Sequence, residues 1–408
     1  MRRRRGAALI LVLAVLLGAV AILAGAFATQ RIAFRAEVNR LEGRRARLMA
    51  EAGIQRALAE LTAQEATRVA QDDPWFQLGN VGADEFTVGD SSFRLQMVDA
   101  SSLVNINTAT EEQLLAMNLT QEQVDSLLDW RSEDQQARAQ GGKDEFYNSL
   151  PVPYNAKLRR FDSVDELLLV KGFTPQSIYG QPEDLQGAST GERTVFYQFV
   201  TADSWSANVS SQGQQRVNIN TATLQVLTTR GIPIPLATAI IAQRNTQGTF
   251  TSMGDVLRSP GVTLENAMLI LDNFSVSNEA RVEGRINLNT ASEEILNTIP
   301  DMLPDVSSAI VSRQGSGFTS LTELTSIPGV TLQFLQAHGD LFTVSSQTWI
   351  ARVVGIAGTS QVVLEATISL ENGVPKIVKI TQPPFSDMTA LWSWDPEPSG
   401  TVELGTTL

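Results

Sequence analysis

Residues 7–30 read AALILVLAVLLGAVAILAGAFATQ, and the reading of this stretch decides the architecture. It holds no charged side chain. Twenty-four residues at 1.5 Å each make a helix of about 36 Å, enough to cross the hydrocarbon core of a bilayer. Arg2, Arg3, Arg4 and Arg5 abut its N-terminal end. Positive flanks are retained in the cytoplasm, so everything after Gln30 is expected on the other side of the membrane. A cleaved secretory signal has an apolar core of only about 7–15 residues, closed by a small-x-small site. Here the run is longer, and Ala24-Gly25-Ala26 lies inside it. The helical pattern also continues past the membrane. Phe34, Val38, Leu41, Leu48 and Ala52 step by three, four or seven and so share one face, while Arg31, Arg35, Glu37, Arg40, Arg44 and Arg45 fill the others. The first proline is Pro74. One helix from about Ala7 to Leu61 is expected, roughly 80 Å long.

Charge and composition narrow the function. Residues 1–65 hold 11 Lys and Arg against 5 Asp and Glu, a net +6; the remainder carries −19 of the chain's −13 total. The exported body is therefore acidic, which disfavours nucleic acid as a ligand. The chain has no cysteine, so disulfides, thiolate metal sites and cysteine nucleophiles are excluded. His338 is the single histidine and stands beside Gly339 in a helix-ending context, a structural position. No nucleophile–base pair or paired-carboxylate spacing stands out, so no enzymatic activity is expected.

Three internal repeats organise the body. Val104-Asn-Ile-Asn-Thr-Ala-Thr110 recurs as Val217-Asn-Ile-Asn-Thr-Ala-Thr223 and as Ile286-Asn-Leu-Asn-Thr-Ala-Ser292. Each copy is followed by two apolar helical patterns about a turn, the second ending near Arg131, Arg244 or Arg313. A Phe-x-Ser segment comes next, at Phe161, Phe250 and Phe318, and then a second turn at Lys171-Gly172, Pro260-Gly261 and Pro328-Gly329. Each repeat is thus expected to hold two short helical hairpins. The paired asparagines (Asn105 and Asn107, Asn218 and Asn220, Asn287 and Asn289) are suited to hydrogen-bond backbone where a strand turns into a helix. Thr108 with Glu111, and Thr290 with Glu293, fit capping boxes; Thr221 faces Leu224 and lacks that partner. The serine of each Phe-x-Ser is expected to cap the next helix.

Strand patterns frame the helices. Phe86-Thr-Val88 with Ser92–Val98, and Val362–Leu370 with Lys376–Ile380 about Asn372-Gly373, read as hairpins; Val195–Val200 and Trp349–Gly355 read as further strands of one antiparallel sheet packed on the stem.

Several of these stretches resemble known families. Gly6 followed by Ala7-Ala-Leu-Ile-Leu-Val-Leu13 resembles the processing site of type IV prepilin-like proteins. The resemblance implies cleavage by a prepilin peptidase between Gly6 and Ala7, and methylation of the new N-terminus. Met49-Ala-Glu-Ala-Gly-Ile-Gln-Arg-Ala-Leu58 is similar to the stem of the K-class minor pseudopilins of type II secretion systems. Most pilins carry a glutamate where Leu11 stands. A carboxylate inside an apolar helix bundle needs a partner, and a subunit at the fibre tip has no neighbour above to supply one. The K class lacks this glutamate and caps the pseudopilus. Its helical domain is inserted into a pilin-like fold at an Asn-x-Asn-Thr-Ala motif, like Asp99–Asn107, and the resemblance extends over about residues 6–180.

The same resemblance implies calcium in the insertion Ser132–Arg160, which only the first repeat has. Glu133, Asp134, Asp144 and Glu145 are the candidate ligands. Ser132 and Gly141-Gly-Lys143 stand where the family pattern has Asp and Gly-Ala-Glu.

The repeats also resemble the helix-hairpin-helix units of competence DNA receptors, which gives the alternative function: a membrane-tethered DNA-binding protein. DNA-binding hairpins present a Gly-hydrophobic-Gly turn. The first turns here read Met117-Asn-Leu-Thr120, Gly231-Ile-Pro-Ile-Pro235 and Pro300-Asp-Met-Leu-Pro304, where proline removes amide donors.

An α+β protein follows: a long N-terminal transmembrane and stem helix, a pilin-like antiparallel sheet, and inserted all-α helix-hairpin-helix repeats. The expected divisions are a leader (1–6), transmembrane and stem helix (7–65), pilin-like strands (66–103), repeat one (104–185, insertion 132–160), a β segment (186–216), repeat two (217–278), repeat three (279–344), C-terminal β hairpins (345–381) and a mobile tail (382–408). The function that the K-class resemblance implies is a minor pseudopilin capping the tip of a type II pseudopilus or a similar fibre. It is needed for fibre initiation and protein export, partnered by other minor pseudopilins and the prepilin peptidase. The expected location is the inner membrane, as a single-pass protein with its N-terminus cytoplasmic and its body periplasmic.

Overall fold

The computed structural model describes residues 4–65, 67–81, 84–180, 195–383, 392 and 401–403. Met1, Arg2 and Arg3 of the expected leader, and most of the expected tail, lie outside the described residues. Helix α1 runs unbroken over Arg4–Leu61. From Leu9 to Phe34 its large apolar side chains are exposed by 56–75%. From Ala46 onward it lies on a sheet.

The sheet has six strands: β1 (Glu85–Val88), β2 (Ser91–Asp99), β3 (Thr348–Ala357), β4 (Ser360–Glu371), β5 (Val374–Thr381) and β6 (Thr401–Glu403). Their order is β5-β4-β3-β2-β1-β6, antiparallel throughout except for the parallel β1–β6 pair. Side chains alternate across each strand. Phe93, Leu95 and Met97 of β2, Trp349, Ala351 and Val353 of β3, and Leu364, Ala366, Ile368 and Leu370 of β4 form the face that covers Ala50, Ile54, Ala57 and Leu61 of α1. The helix approaches at backbone distance. A Cβ on Gly355 would overlap the carbonyl oxygen of Ala46, and one on Gly53 would overlap the side chain of Val353. Burying a side chain such as Ile54 or Leu61 is worth about 1.5–3 kcal/mol, so this small-residue seam holds the stem firmly to the body.

The chain leaves the sheet after β2 and returns at β3, and the helical repeats occupy the excursion. Each repeat is closed by a parallel bridge of two residues per strand. Val104–Asn105 pairs with Val200–Thr201, Val217–Asn218 with Phe274–Ser275, and Ile286–Asn287 with Phe342–Thr343. The opening motif of each repeat thus meets its own exit.

Three expectations are corrected. Val195–Val200 is not a strand of the main sheet: Phe196–Phe199 is a helical turn, and only Val200–Thr201 extends, to bridge Val104–Asn105. Tertiary closure of repeat one overrides the β preference of its aromatic residues. The helix caps fall two residues later than the capping-box pattern placed them. Thr110, Thr223 and Ser292 accept from Gln113, Val226 and Ile295 amides, because Thr108, Thr221 and Thr290 sit inside the preceding turn. Of the tail expected to be mobile, Trp392 is buried and Thr401–Glu403 returns to the sheet as β6.

Candidate functional site

The stem carries two apolar stripes on different faces. Ala46, Ala50, Ile54, Ala57 and Leu61 face the sheet and are buried. Phe34, Leu41 and Leu48 are 71%, 48% and 59% exposed. Their seven-residue spacing places them on one helix face, as the sequence indicated, turned away from the sheet-facing residues. Arg40 pairs with Glu37 and Arg47 with Glu51 along its flanks, at 2.6 and 3.0 Å. Large apolar knobs at heptad spacing, bordered by charges of both signs, are what a second helix packs against. Gly6 and Ala7 fall within α1, and Leu11 is exposed on it.

The asparagine motif works as a clamp. The first asparagine folds the chain: Oδ1 of Asn105, Asn218 and Asn287 accepts from the amides of Asn107, Asn220 and Asn289 at 2.9–3.1 Å. The second holds the Phe-x-Ser segment from both sides. Asn220 Oδ1 accepts from Phe250 N at 2.8 Å while its Nδ2 donates to Phe250 O at 2.9 Å, and Asn107 and Asn289 do the same to Phe161 and Phe318. Ser252 and Ser320 cap the following helical turns as expected, whereas Ser163 makes no such cap.

A third element closes each turn. Arg131 donates to the Ile106 and Ala109 carbonyls, and Arg244 to those of Ile219 and Ala222. Arg313 does not fill this place in the third repeat. Gln314 Nε2 takes it, at 2.9 and 2.7 Å from the Leu288 and Ala291 oxygens, and Arg313 pairs with Glu323. The left-handed turn residue explains the slip. Asn118 and Gly231 fall 14 positions after Val104 and Val217, but Asp301 falls 15 after Ile286. Burial, together with Arg138, pulls Arg131 down to about 10. The exit residues complete the clamp and were not read from the sequence: the hydroxyls of Thr201, Ser275 and Thr343 donate to the carbonyls of Asp203, Ser277 and Ser345. Two polar residues per repeat give a pattern search too little to find.

The third repeat is tied to the sheet by a buried carboxylate. Asp99 at the end of β2 accepts from Asn287 Nδ2 at 2.8 Å, Thr290 Oγ1 at 2.7 Å and Ser101 N at 2.8 Å. Burial raises its pKa against these bonds. On the sheet face away from α1, buried Arg352 and half-buried Glu365 lie 3.7 Å apart, and Trp392 of the tail lies over the Arg352 guanidinium. Burial pushes Glu365 up and Arg352 down.

The hairpin turns give little to a phosphate backbone. The second helices of the second hairpins are capped by Thr174, Thr263 and Thr331, and that of the first hairpin of repeat one by Thr120, so those amides are already engaged. In the first hairpins of repeats two and three, Pro233, Pro235 and Pro304 stand at the helix start. His338 Nε2 lies 3.3 Å from Asp301 Oδ2, across two hairpins of repeat three.

The insertion is organised around a lysine. Lys143 is buried, and its Nζ donates to the carbonyls of Asp129 at 2.5 Å and Ser132 at 2.9 Å, at the C-terminal end of the helix Gln121–Arg131. Burial lowers its pKa while the carboxylates of Asp129, Asp134 and Asp144 act in the opposite sense. Asp129 and Asp125 accept from the Arg138 and Gln140 amides at 3.0 Å, and Lys171 Nζ donates to the Gln140 and Gly141 carbonyls. The expected calcium ligands do not converge. Glu133 and Glu145 are exposed, Asp134 accepts from Gln136 N, and Asp144 accepts from Ala156 N. No group of three or more metal-ligating side chains of these types occurs among the described residues. An ammonium stands on the helix-end carbonyls with the carboxylates about it.

Two segments of the chain match family models. Residues 109–179 match the family model described as type II secretion system (T2SS), protein K. Residues 212–268, which lie largely in repeat two, match a helix-hairpin-helix motif. The chain is thus similar to the T2SS protein K family over residues 109–179 and to helix-hairpin-helix motifs over residues 212–268. No curated protein matches it in sequence. Among solved structures it is similar to a chain of the GspK-GspI-GspJ complex from the enterotoxigenic Escherichia coli type 2 secretion system. That chain is 14% identical, and the match spans 86% of this chain and 100% of the other at a TM-score of 0.44.

Proposed function

We propose that this protein is a minor pseudopilin that caps the tip of a type II secretion pseudopilus and helps to initiate the fibre. One observation carries the reading: the large apolar residues Phe34, Leu41 and Leu48 of the stem are left bare on the face turned away from the sheet, while Ala46, Ala50, Ile54, Ala57 and Leu61 are buried against it. A lone anchor has no use for such a stripe outside the bilayer, whereas a stem packed among other pseudopilin helices does. The protein K segment at 109–179 supports the family, and Leu11 in place of a carboxylate suits a subunit with no neighbour above it. The acidic body then blocks further addition. Calcium has no part in this reading, because Lys143 supplies the cation of the insertion.

The orientation is N-terminus cytoplasmic and body periplasmic, with the leader removed at Gly6-Ala7 by prepilin peptidase. Charge counting alone does not decide it: Arg2–Arg5 flank one end of the span, but Arg31, Arg35, Arg40, Arg44, Arg45 and Arg47 follow the other. The prepilin-like site and the folded body after the span support it.

The absence of cysteine makes the test clean. Single cysteines at Leu41 and Leu48 should cross-link to cysteines in the stems of co-expressed minor pseudopilins, while one at exposed Thr62 should not. Equal cross-linking at all three positions, or at none, would reject the stem as an assembly face. The helix-hairpin-helix match keeps a DNA receptor as the competing reading. That reading requires salt-dependent retardation of duplex DNA by the chain, and the acidic body predicts none.

A further inference from the structure

We propose that Arg31 and Arg35 bind the phosphates of anionic phospholipid headgroups at the bilayer surface from which the body emerges. The inference rests on α1 crossing the bilayer and not on the tip-capping reading. The uncharged run ends at Gln30, and α1 continues through it without a break. At 1.5 Å per residue, Arg31 and Arg35 stand about 2 and 8 Å further along the axis. The polar layer of a bilayer is about 5–8 Å deep on each side. Helical side chains lean toward the N-terminus, here toward the membrane, so the long side chain of Arg35 reaches back into that layer.

Both cations are free to take a ligand. No carboxylate precedes Glu37 in the chain, and Glu37 is held by Arg40 at 2.6 Å. Arg45 pairs with Asp90 and Arg47 with Glu51. Arg31 and Arg35 are exposed and make no ion pair among the described residues. Four residues apart, they share one side of the helix. They lie about 60° and 100° round the axis from Phe34, so lipid on this side leaves the stripe of Phe34, Leu41 and Leu48 open. A planar guanidinium offers phosphate two parallel N–H donors, and two such groups one turn apart gather anionic headgroups rather than zwitterionic ones. Arg44 also makes no ion pair among the described residues, but it stands about 21 Å past Gln30, beyond the polar layer.

An anionic surface repels the acidic body, and the bare stretch of α1 separates the two. Glu42 is the first residue of α1 to bond to the body, where its carboxylate accepts from Thr359 N and Oγ1. Twelve residues beyond Gln30, it stands about 18 Å out. That is about two Debye lengths at physiological ionic strength. The stem thus holds the body outside the surface field while Arg31 and Arg35 remain within it. A carboxylate on a neighbouring stem is the other partner two arginines accept, but at this depth phosphate already surrounds them.

The test uses the full chain, which has no cysteine of its own, with Ile32→Cys carrying a bimane fluorophore at a position 69% exposed. The chain is reconstituted in vesicles of equal parts phosphatidylcholine and phosphatidylglycerol, with a bromine quencher on the acyl chains of one lipid or the other. An arginine at an anionic surface contributes about fivefold in affinity, and lipid exchanging around the rest of the helix dilutes the effect of two. Quenching by the brominated phosphatidylglycerol should exceed that by the brominated phosphatidylcholine about threefold or more. Arg31→Gln with Arg35→Gln, which keeps a good helix former at both positions, should bring the ratio to about one. Arg44→Gln should leave the ratio unchanged, and so should millimolar inorganic phosphate. Equal quenching by both lipids, a ratio unaltered in the double variant, a loss with Arg44→Gln, or competition by free phosphate would each overturn the proposal. Quenching by neither lipid would overturn the membrane span, and the site with it.

Discussion

Replacing Lys143 with methionine tests the account of the insertion most directly. The thioether keeps most of the methylene packing and removes the ammonium. Two carbonyls, of Asp129 and Ser132, lose their donor, and Asp129, Asp134 and Asp144 lose the cation between them. Hydrogen bonds to a charged group contribute about 1.5–3 kcal/mol each. Removing one partner of a buried charged arrangement costs about 3–5 kcal/mol when no water replaces it. The loop borders solvent at Glu133 and Asp134, so water relieves part of the loss. A net destabilisation of about 2–4 kcal/mol is expected, local to residues 132–160. Local opening should become about 30-fold to 1,000-fold more frequent, as read by amide hydrogen exchange of that segment. Exchange in repeats two and three should not change.

A second variant, Lys143→Ala, separates a tethered cation from a metal site. With the ammonium in place, millimolar Ca²⁺ should leave exchange and thermal unfolding of the native chain unaltered. Lys143→Ala removes both charge and stem and leaves carbonyl and carboxylate oxygens, the atoms calcium prefers. Ca²⁺ should then recover part of the lost protection. If calcium protects the native insertion, or if Lys143→Met exchanges like the parent, the ammonium is not what organises the loop.

Three further outcomes follow from the geometry. Asn220→Ala removes both bonds that grip Phe250 and should destabilise repeat two by about 1–3 kcal/mol, with loss of amide protection confined to residues 217–275. Asp99 has its pKa raised by burial above the unfolded value of about 3.9, so the stability it contributes is present below that value and is lost as pH rises through its folded pKa. Asp99→Asn should flatten that part of the stability–pH curve, measured by urea unfolding from pH 3 upward. Gly355→Ala drives a Cβ into the Ala46 carbonyl and should loosen the stem from the sheet by about 1–3 kcal/mol, whereas Gly43→Ala, with open space around it, should stabilise the helix by about 0.5–1 kcal/mol.

The elements that the sequence made visible are those with long periods or exact recurrence. The span 7–30, the hairpin turn Asn372-Gly373 with left-handed φ at both positions, and the three Asn-x-Asn-Thr motifs carry their meaning in local chemistry. What stayed hidden depends on contacts between distant residues. Thr108 and Thr110 both fit a capping position, and only the turn held by the Asn105 carbonyl shows that the second is used. Arg313 matches Arg131 and Arg244 in sequence spacing, yet one extra turn residue hands its task to Gln314. Acidic residues in a glycine-bearing loop suggested calcium. The position of Lys143 over the end of a helix, set by the whole fold of the insertion, offers an ammonium in the same loop.

The stem shows how the same physics produces both a visible and a hidden face. Apolar periodicity singled out Phe34, Leu41 and Leu48, and it is natural to place such a stripe against the sheet. The structure places Ala46, Ala50, Ile54, Ala57 and Leu61 there, and where the helix passes Gly355 the seam is alanine, because so close an approach leaves room only for small side chains. Alanine and glycine register weakly on any hydrophobic pattern, so the intramolecular seam was the less legible of the two. Phe34, Leu41 and Leu48 are left exposed, as the assembly proposed for the stem requires. A self-sufficient domain buries its largest hydrophobic side chains first. A stem that leaves Phe34, Leu41 and Leu48 bare at a fixed seven-residue repeat, while the body buries Trp75, Trp349 and Phe93, has an apolar face that its own sheet does not use.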